Sequence, residues 1–125
     1  MDEYKEKLKE LLMQIQASAT ARRMIEFIEE SNFDITIMTR YAEYATKGKG
    51  WVPNCGITHP NYMSSNKLII QIRCRNIATL ANELGNAIVL IYLYENTGSY
   101  TALPDDYQEK MSDIMEEKVL NDFSQ

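Results

Sequence analysis

RNIATLANELGNAIVLIYLY, residues 75–94, is the most apolar long stretch of this sequence, and it keeps one polar stripe. At 100° per residue, Thr79, Asn82, Glu83 and Asn86 fall within about a third of the circumference of a helix, and apolar side chains cover the rest. The stretch therefore predicts a central, mostly buried helix with a single polar face. Because buried amide and carboxyl groups are costly unless they are hydrogen-bonded or bind something, this face should line a cleft or form a polar network.

Patterns on either side of this helix predict an α+β fold in one domain, residues 1–125. Apolar spacing predicts helices over 2–16 and 19–31, the second with Ser18 or Thr20 as N-cap. A last helix should run from Pro104 to about Asp122. Alternating β-branched residues predict strands over 34–40 and 67–73, so we expect about four helices and a small sheet of two to four strands. The apolar side of the last helix should hold Tyr107, Met111, Ile114 and Met115.

Residues 41–66 lack a regular pattern and predict a long loop, with a short strand near Cys55 to Thr58. The loop interleaves aromatic with basic residues and holds the only histidine of the chain. Such interleaving can mark a single-strand nucleic-acid groove, but we favour a packed loop and a surface or packing role for the histidine. Three side chains of this loop are candidates for contact with a protein partner: Trp51, His59 and Tyr62.

Length and composition are those of an ordinary soluble domain, with 125 residues, 45% hydrophobic and 25% charged. The charged start of the chain lacks the pattern of a secretory signal, and the apolar run Ala87–Tyr94 is too short to span a bilayer. For the two cysteines, Cys55 and Cys74, we favour free thiols over one disulfide. We therefore expect no membrane association and a cytoplasmic location, in the producing cell or in a host cell.

Charge is spread unevenly around a net value of −5. Residues 34–75 carry two acidic and six basic side chains, whereas residues 76–125 carry nine acidic and two basic ones. An acidic total argues against nucleic acid as the main ligand, because phosphate contacts need a positive surface. It favours a basic protein partner.

A motif inside the central helix resembles the zinc-binding helix of zincin metallopeptidases. In that helix, the motif H-E-x-x-H places two histidines one turn apart with a general-base glutamate between them. In this chain, residues 80–87 read LANELGNA, with Asn82 and Asn86 at the histidine positions and Glu83 at the position of the base. The later EEKVLN (residues 116–121) resembles the third-ligand helix of gluzincin-like families, with Glu117 favoured over Glu116 to face the cleft. SATARRMIEFIEES followed by ITIMT resembles the elements that precede the catalytic part of small bacterial effector-type metallopeptidases, so the resemblance spans about residues 11–121.

The resemblance implies a small zincin-like domain that has lost its metal chemistry. Neutral amide oxygens are poor zinc ligands, so we expect no zinc and no other cofactor, and Glu83 would be vestigial. The implied function is that of an inactive metallopeptidase-like domain that binds a protein, for example as a phage- or pathogen-encoded inhibitor of a host protein. One alternative is an active hydrolase that uses Glu83, Glu117, Asn82 and Asn86 as an oxygen-ligand set for Mn, Mg or Ca. The other is an ordinary α+β domain in which the stripe is a satisfied polar network.

Overall fold

The computed structural model describes residues 2–39, 43–46, 50–53 and 55–124 and has an α+β fold, as predicted. Three strands form one sheet in the order β1-β5-β4, with β1 parallel and β4 antiparallel to β5, while β2 and β3 form a separate antiparallel pair. The elements are α1 (Asp2–Ile15), α2 (Ala19–Glu30), β1 (Asp34–Met38), β2 (Glu43–Thr46), β3 (Gly50–Pro53), β4 (Gly56–His59), a 3₁₀ helix (Pro60–Ser65), β5 (Lys67–Ile72), α3 (Ile77–Thr97) and α4 (Asp105–Phe123).

Capping residues fix the ends of the helices close to the predicted positions. The Ser18 hydroxyl accepts the Ala21 N–H at the start of α2, and the Asn76 side chain accepts the Thr79 N–H at the start of α3. α3 ends at Gly98, which adopts the left-handed conformation with φ of 78°. The central helix therefore continues almost one turn beyond its predicted end at Tyr94.

The core lies around α3, which contacts β4 and β5 on the sheet and all three other α-helices. One face of β5 contributes Leu68, Ile70 and Ile72, which are fully buried. Among the described helices, α3 is the one that is long and apolar enough to cross a membrane by length and composition, and more than half of that apolar window is buried within the fold. Other buried members of the core include Leu11, Ile15, Met24, Ile28, Phe33, Met63, Leu80, Leu84, Ile91 and Val119.

The C-terminal end of α4 is joined to the start of α2. The buried Ser18 hydroxyl donates a hydrogen bond to Asp122 Oδ2 at 2.6 Å, and the Thr20 N–H donates to the same oxygen at 3.1 Å. These two bonds lower the pKa of Asp122 below its ordinary value. Together with the buried side chain of Val119, they fix the position of α4 beside α3.

Two predictions are wrong, one for the long loop before β5 and one for the two cysteines. The predicted long loop contains the β2–β3 pair as well as the expected short strand, which is β4. Cys55 and Cys74 are not free thiols but form a disulfide, with their Cα atoms 4.5 Å apart. Disulfides persist mainly in oxidising compartments, so the predicted cytoplasmic location loses the support that free thiols gave it.

Candidate functional site

Glu83 lies in the middle of α3 and is only 6% exposed. Its Oε1 atom accepts hydrogen bonds from the Thr58 hydroxyl at 2.8 Å and from Asn86 Nδ2 at 3.2 Å. Burial raises the pKa of Glu83 above its ordinary value, and the two hydrogen bonds and the nearby His59 offset part of that effect. Among the described residues, both side chains that donate hydrogen bonds to the carboxylate are neutral.

Asn82 and Asn86, the two predicted vestigial metal positions, join α3 to α4 through hydrogen bonds. Asn82 Nδ2 donates to Asp113 Oδ1 at 3.0 Å, and the Ser112 hydroxyl donates to Asn86 Oδ1. Asn86 Nδ2 also lies 3.4 Å from Asn82 Oδ1. The interpretation of the stripe as a satisfied polar network is therefore confirmed for these side chains.

Gly85 allows the close approach of the two helices on which this network depends. A Cβ atom at this position would lie 3.2 Å from Ser112 Cα and 3.4 Å from Ser112 O, so a larger residue would push α4 away from α3. The buried face of α4 at this contact carries Ser112 and, two turns later, Val119.

Glu116, not Glu117, faces the cleft beside Glu83. It lines a cleft of 230 Å³ together with Glu83 and Asn82, whereas Glu117 is exposed. The prediction for Glu117 was wrong because the small residue Ser112, rather than the apolar stripe, defines the buried face of α4. Glu116 lies four residues after Ser112 and therefore shares its side of the helix.

A second cleft, of 310 Å³, lies on the other side of the Glu83 carboxylate. The two clefts share Gly56 and Glu83, and we call them together the Glu83 groove. Asp105 and Glu109 from α4 add two carboxylates to the second cleft. The remaining lining residues of this cleft are Ile57, Thr58, Pro60, Asn86, Val89, Leu90, Tyr100, Thr101 and Gln108.

β4 forms one wall of the Glu83 groove through Gly56 and Thr58, two residues that our sequence interpretation did not single out. A Cβ atom at Gly56 would lie 2.8 Å from Glu83 Cγ and 3.0 Å from Oε2, so only glycine lets the strand pass this close. The two residues are spaced i, i+2 and share one face of the strand. That spacing within the predicted short strand is the signal by which they could have been found.

The three predicted partner contacts are not among the described residues that line the groove. His59 is half-buried, with Nε2 at 3.0 Å from Gln71 Oε1 on the neighbouring strand. Tyr62 is 48% exposed on the 3₁₀ helix. Trp51 belongs to β3, and its side chain lies outside the described part of the structure.

The residues of the groove do not fit a zinc ion. Within the described ranges, no group of three or more His, Cys, Asp and Glu side chains is placed to hold a metal. The amides of Asn82 and Asn86 are engaged with Asp113 and Ser112, and neutral amides are weak zinc ligands in any case.

An apolar groove of 260 Å³ lies between α2, α3 and α4, lined by a different set of α4 side chains. Tyr92 and Met111, which line it, are 56% and 45% exposed. Tyr107 and Ile114 are also exposed, so most of the apolar side predicted for α4 faces outward and only Met115 packs against the core. The full lining is Phe27, Ile88, Val89, Tyr92, Leu93, Leu103, Met111 and Met115.

Comparison with protein-family models, with curated proteins and with solved structures finds no match for this chain. The resemblance to zincins therefore stays a prediction from the sequence motifs.

Proposed function

We propose that this chain is a catalytically inactive, zincin-like domain that acts by binding a basic protein partner. The proposal rests on one combination of features. The groove around Glu83 is open and acidic, and the two asparagines at the histidine positions of the motif bind to α4 instead of a metal. Asn82 and Asn86 hold α4 against α3, while the space around Glu83 stays open on two sides.

The chemistry of the groove supports the proposed loss of catalysis. A zincin hydrolase needs a metal to polarise the substrate carbonyl and to activate water, and the glutamate then removes a proton from that water. The donor set around Glu83 does not fit zinc, and Oε1 of Glu83 accepts hydrogen bonds from Thr58 and Asn86. Glu83 therefore occupies the general-base position of the motif, but the groove does not fit the zinc ion whose bound water it would deprotonate.

The distribution of charge supports a basic protein as the partner. Three acidic side chains of α4, Asp105, Glu109 and Glu116, line the groove that already contains Glu83. Complementary charge increases the rate of encounter and excludes acidic competitors. The exposed apolar groove beside α4 is a further feature that is common on proteins that bind other proteins. A small inhibitor encoded by a phage or a pathogen, acting on a host protein, would have these properties.

The proposal is tested by measuring hydrolysis and binding on the same preparation. The wild-type chain and Glu83→Gln are incubated with a mixture of synthetic peptides in the presence of zinc, manganese, magnesium or calcium, and fragments are counted by mass spectrometry. Immobilised wild-type chain is then used to capture proteins from extracts of the producing cell and of its host. We expect equal, background levels of fragments for both variants and a stoichiometric complex with a basic protein.

Fragments produced by the wild-type chain but not by Glu83→Gln would overturn the proposal. They would establish the alternative, an active metal-dependent hydrolase that uses oxygen ligands.

A further inference from the structure

We infer that the Glu83 groove holds lysine or arginine side chains from an extended basic segment of the partner, one of which pairs with the Glu83 carboxylate. This inference rests on the proposed function and adds to it the location of the contact and the chemistry of the group that is bound.

The first step is the state of the Glu83 carboxylate. Both of its side-chain hydrogen bonds go to Oε1, and no donor from the described residues reaches Oε2. In the described part of the chain, every fully buried side-chain oxygen or nitrogen has a hydrogen-bond partner. Oε2 is therefore not sealed from the groove, although Glu83 as a whole is 94% buried.

The second step is what such a carboxylate favours. The buried Glu83 carboxylate pays a desolvation cost that its two neutral hydrogen-bond donors and the nearby His59 offset only in part. An incoming ammonium or guanidinium group would supply a charge-assisted hydrogen bond at Oε2. An anionic group would meet the like charges of Glu83, Glu109 and Glu116, and a neutral group would leave the carboxylate uncompensated.

The third step concerns size and shape. Drug-sized ligands occupy pockets of roughly 300–1,000 Å³. The clefts of 310 and 230 Å³ lie at and below the lower end of this range, so each has room for a single long side chain. The larger cleft also offers Val89, Leu90 and Tyr100. The aliphatic stem of a lysine or arginine side chain packs well on such surfaces while its charged end reaches a carboxylate.

The fourth step distinguishes a basic segment from a free small amine. Acidic side chains lie on both sides of Glu83, with Asp105 and Glu109 in one cleft and Glu116 in the other. A single small cation would use one of these clefts. A chain with more than one basic side chain would use both.

The test uses a fluorescein-labelled peptide of about ten residues in which arginine alternates with alanine, and binding is followed by fluorescence anisotropy. Its control replaces each arginine by citrulline, which has nearly the same shape but no charge. The arginine peptide should bind about tenfold or more tightly than the citrulline peptide, which corresponds to about 1.4 kcal/mol. Equal affinities for the two peptides would overturn the inference.

Two adjacent glutamates of α4 provide a matched pair of variants. Glu116→Gln and Glu117→Gln remove the same charge one residue apart, but only Glu116 lines the groove. Glu116→Gln should weaken binding of the arginine peptide severalfold, whereas Glu117→Gln should change it less than twofold. Equal effects would show that only the overall negative charge attracts the peptide, and the inference would fail.

The captured partner separates failure of this inference from failure of the proposed function. If the partner binds the wild-type chain, Glu83→Gln and Glu116→Gln equally well, the contact lies elsewhere and the inference is wrong, while the proposal of a binding protein stands. If the chain cleaves peptides, the proposed function itself is wrong.

Discussion

Replacing Gly56 by alanine should move Glu83 and destabilise the fold by about 1 kcal/mol. The added Cβ would lie 2.8 Å from Glu83 Cγ and 3.0 Å from Thr79 Cγ2, although ordinary contacts begin near 3.4 Å. Overpacking of this kind costs about 1–3 kcal/mol. Loss of glycine from the unfolded chain returns about 0.4–1 kcal/mol, so the net effect should be a loss of up to about 2.5 kcal/mol.

A double-mutant cycle with Glu83→Ala isolates the contact between the two residues. The alanine at position 83 removes Cγ and both carboxylate oxygens, and with them two of the three close contacts of the new Cβ. Urea unfolding of the four variants should give a coupling free energy of about 1 kcal/mol, with the double mutant more stable than the sum of the single changes predicts. A coupling free energy below about 0.3 kcal/mol would refute the close packing of β4 on Glu83.

Four further changes test the polar stripe and the packing of α3. Glu83→Gln keeps an oxygen for Thr58 and Asn86 but removes the buried charge, so urea unfolding at neutral pH should find it as stable as the wild type or more stable. Because the pKa of Glu83 is raised in the folded state, wild-type stability should fall as the pH rises from the ordinary to the raised pKa, and the advantage of the variant should disappear below that window. Leu84→Ala, at a 3% exposed position, should cost about 2–5 kcal/mol in the same assay, whereas Tyr92→Ala on the exposed face should cost under about 1 kcal/mol. The double change Asn82→His with Asn86→His should create a zinc site whose affinity can be measured by calorimetry. Adding Glu116→Gln should weaken that affinity, and adding Glu117→Gln should not. No gain in zinc affinity for the double variant would refute the zincin geometry.

The sequence predicted the elements that depend on local patterns. The apolar run with its polar stripe identified α3 as the central helix, and Ser18 marked the start of α2 through its capping chemistry. The alternation in residues 67–73 predicted a strand, and β5 runs from Lys67 to Ile72. These signals arise within a few residues of each other and need no knowledge of the rest of the fold.

The orientation of α4 depends on tertiary packing and was not predicted from its apolar residues. Gly85 lets α4 approach so closely that the facing position must be small, and Ser112 fills it. Tyr107, Met111 and Ile114 are then turned outward, although their spacing is that of a buried face. The same rotation brings Glu116 into the groove in place of Glu117.

The disulfide and the β2–β3 pair also depend on distant parts of the chain. Cys55 and Cys74 are 19 residues apart in the sequence. They meet because the backbone N–H groups of Arg73 and Cys74, which directly follow β5, both donate to the Cys55 carbonyl. The segment that contains β2 and β3 holds Gly48, Gly50 and Pro53, which favour a loop by local criteria.

Binding without cleavage is tested most directly by native mass spectrometry of the chain with its captured partner after prolonged incubation with zinc. We predict a complex of one chain with one intact partner, reduced in abundance by Glu116→Gln and unchanged by Glu117→Gln. Cleaved partner that is absent from the parallel sample with Glu83→Gln would contradict the proposal of an inactive binding domain.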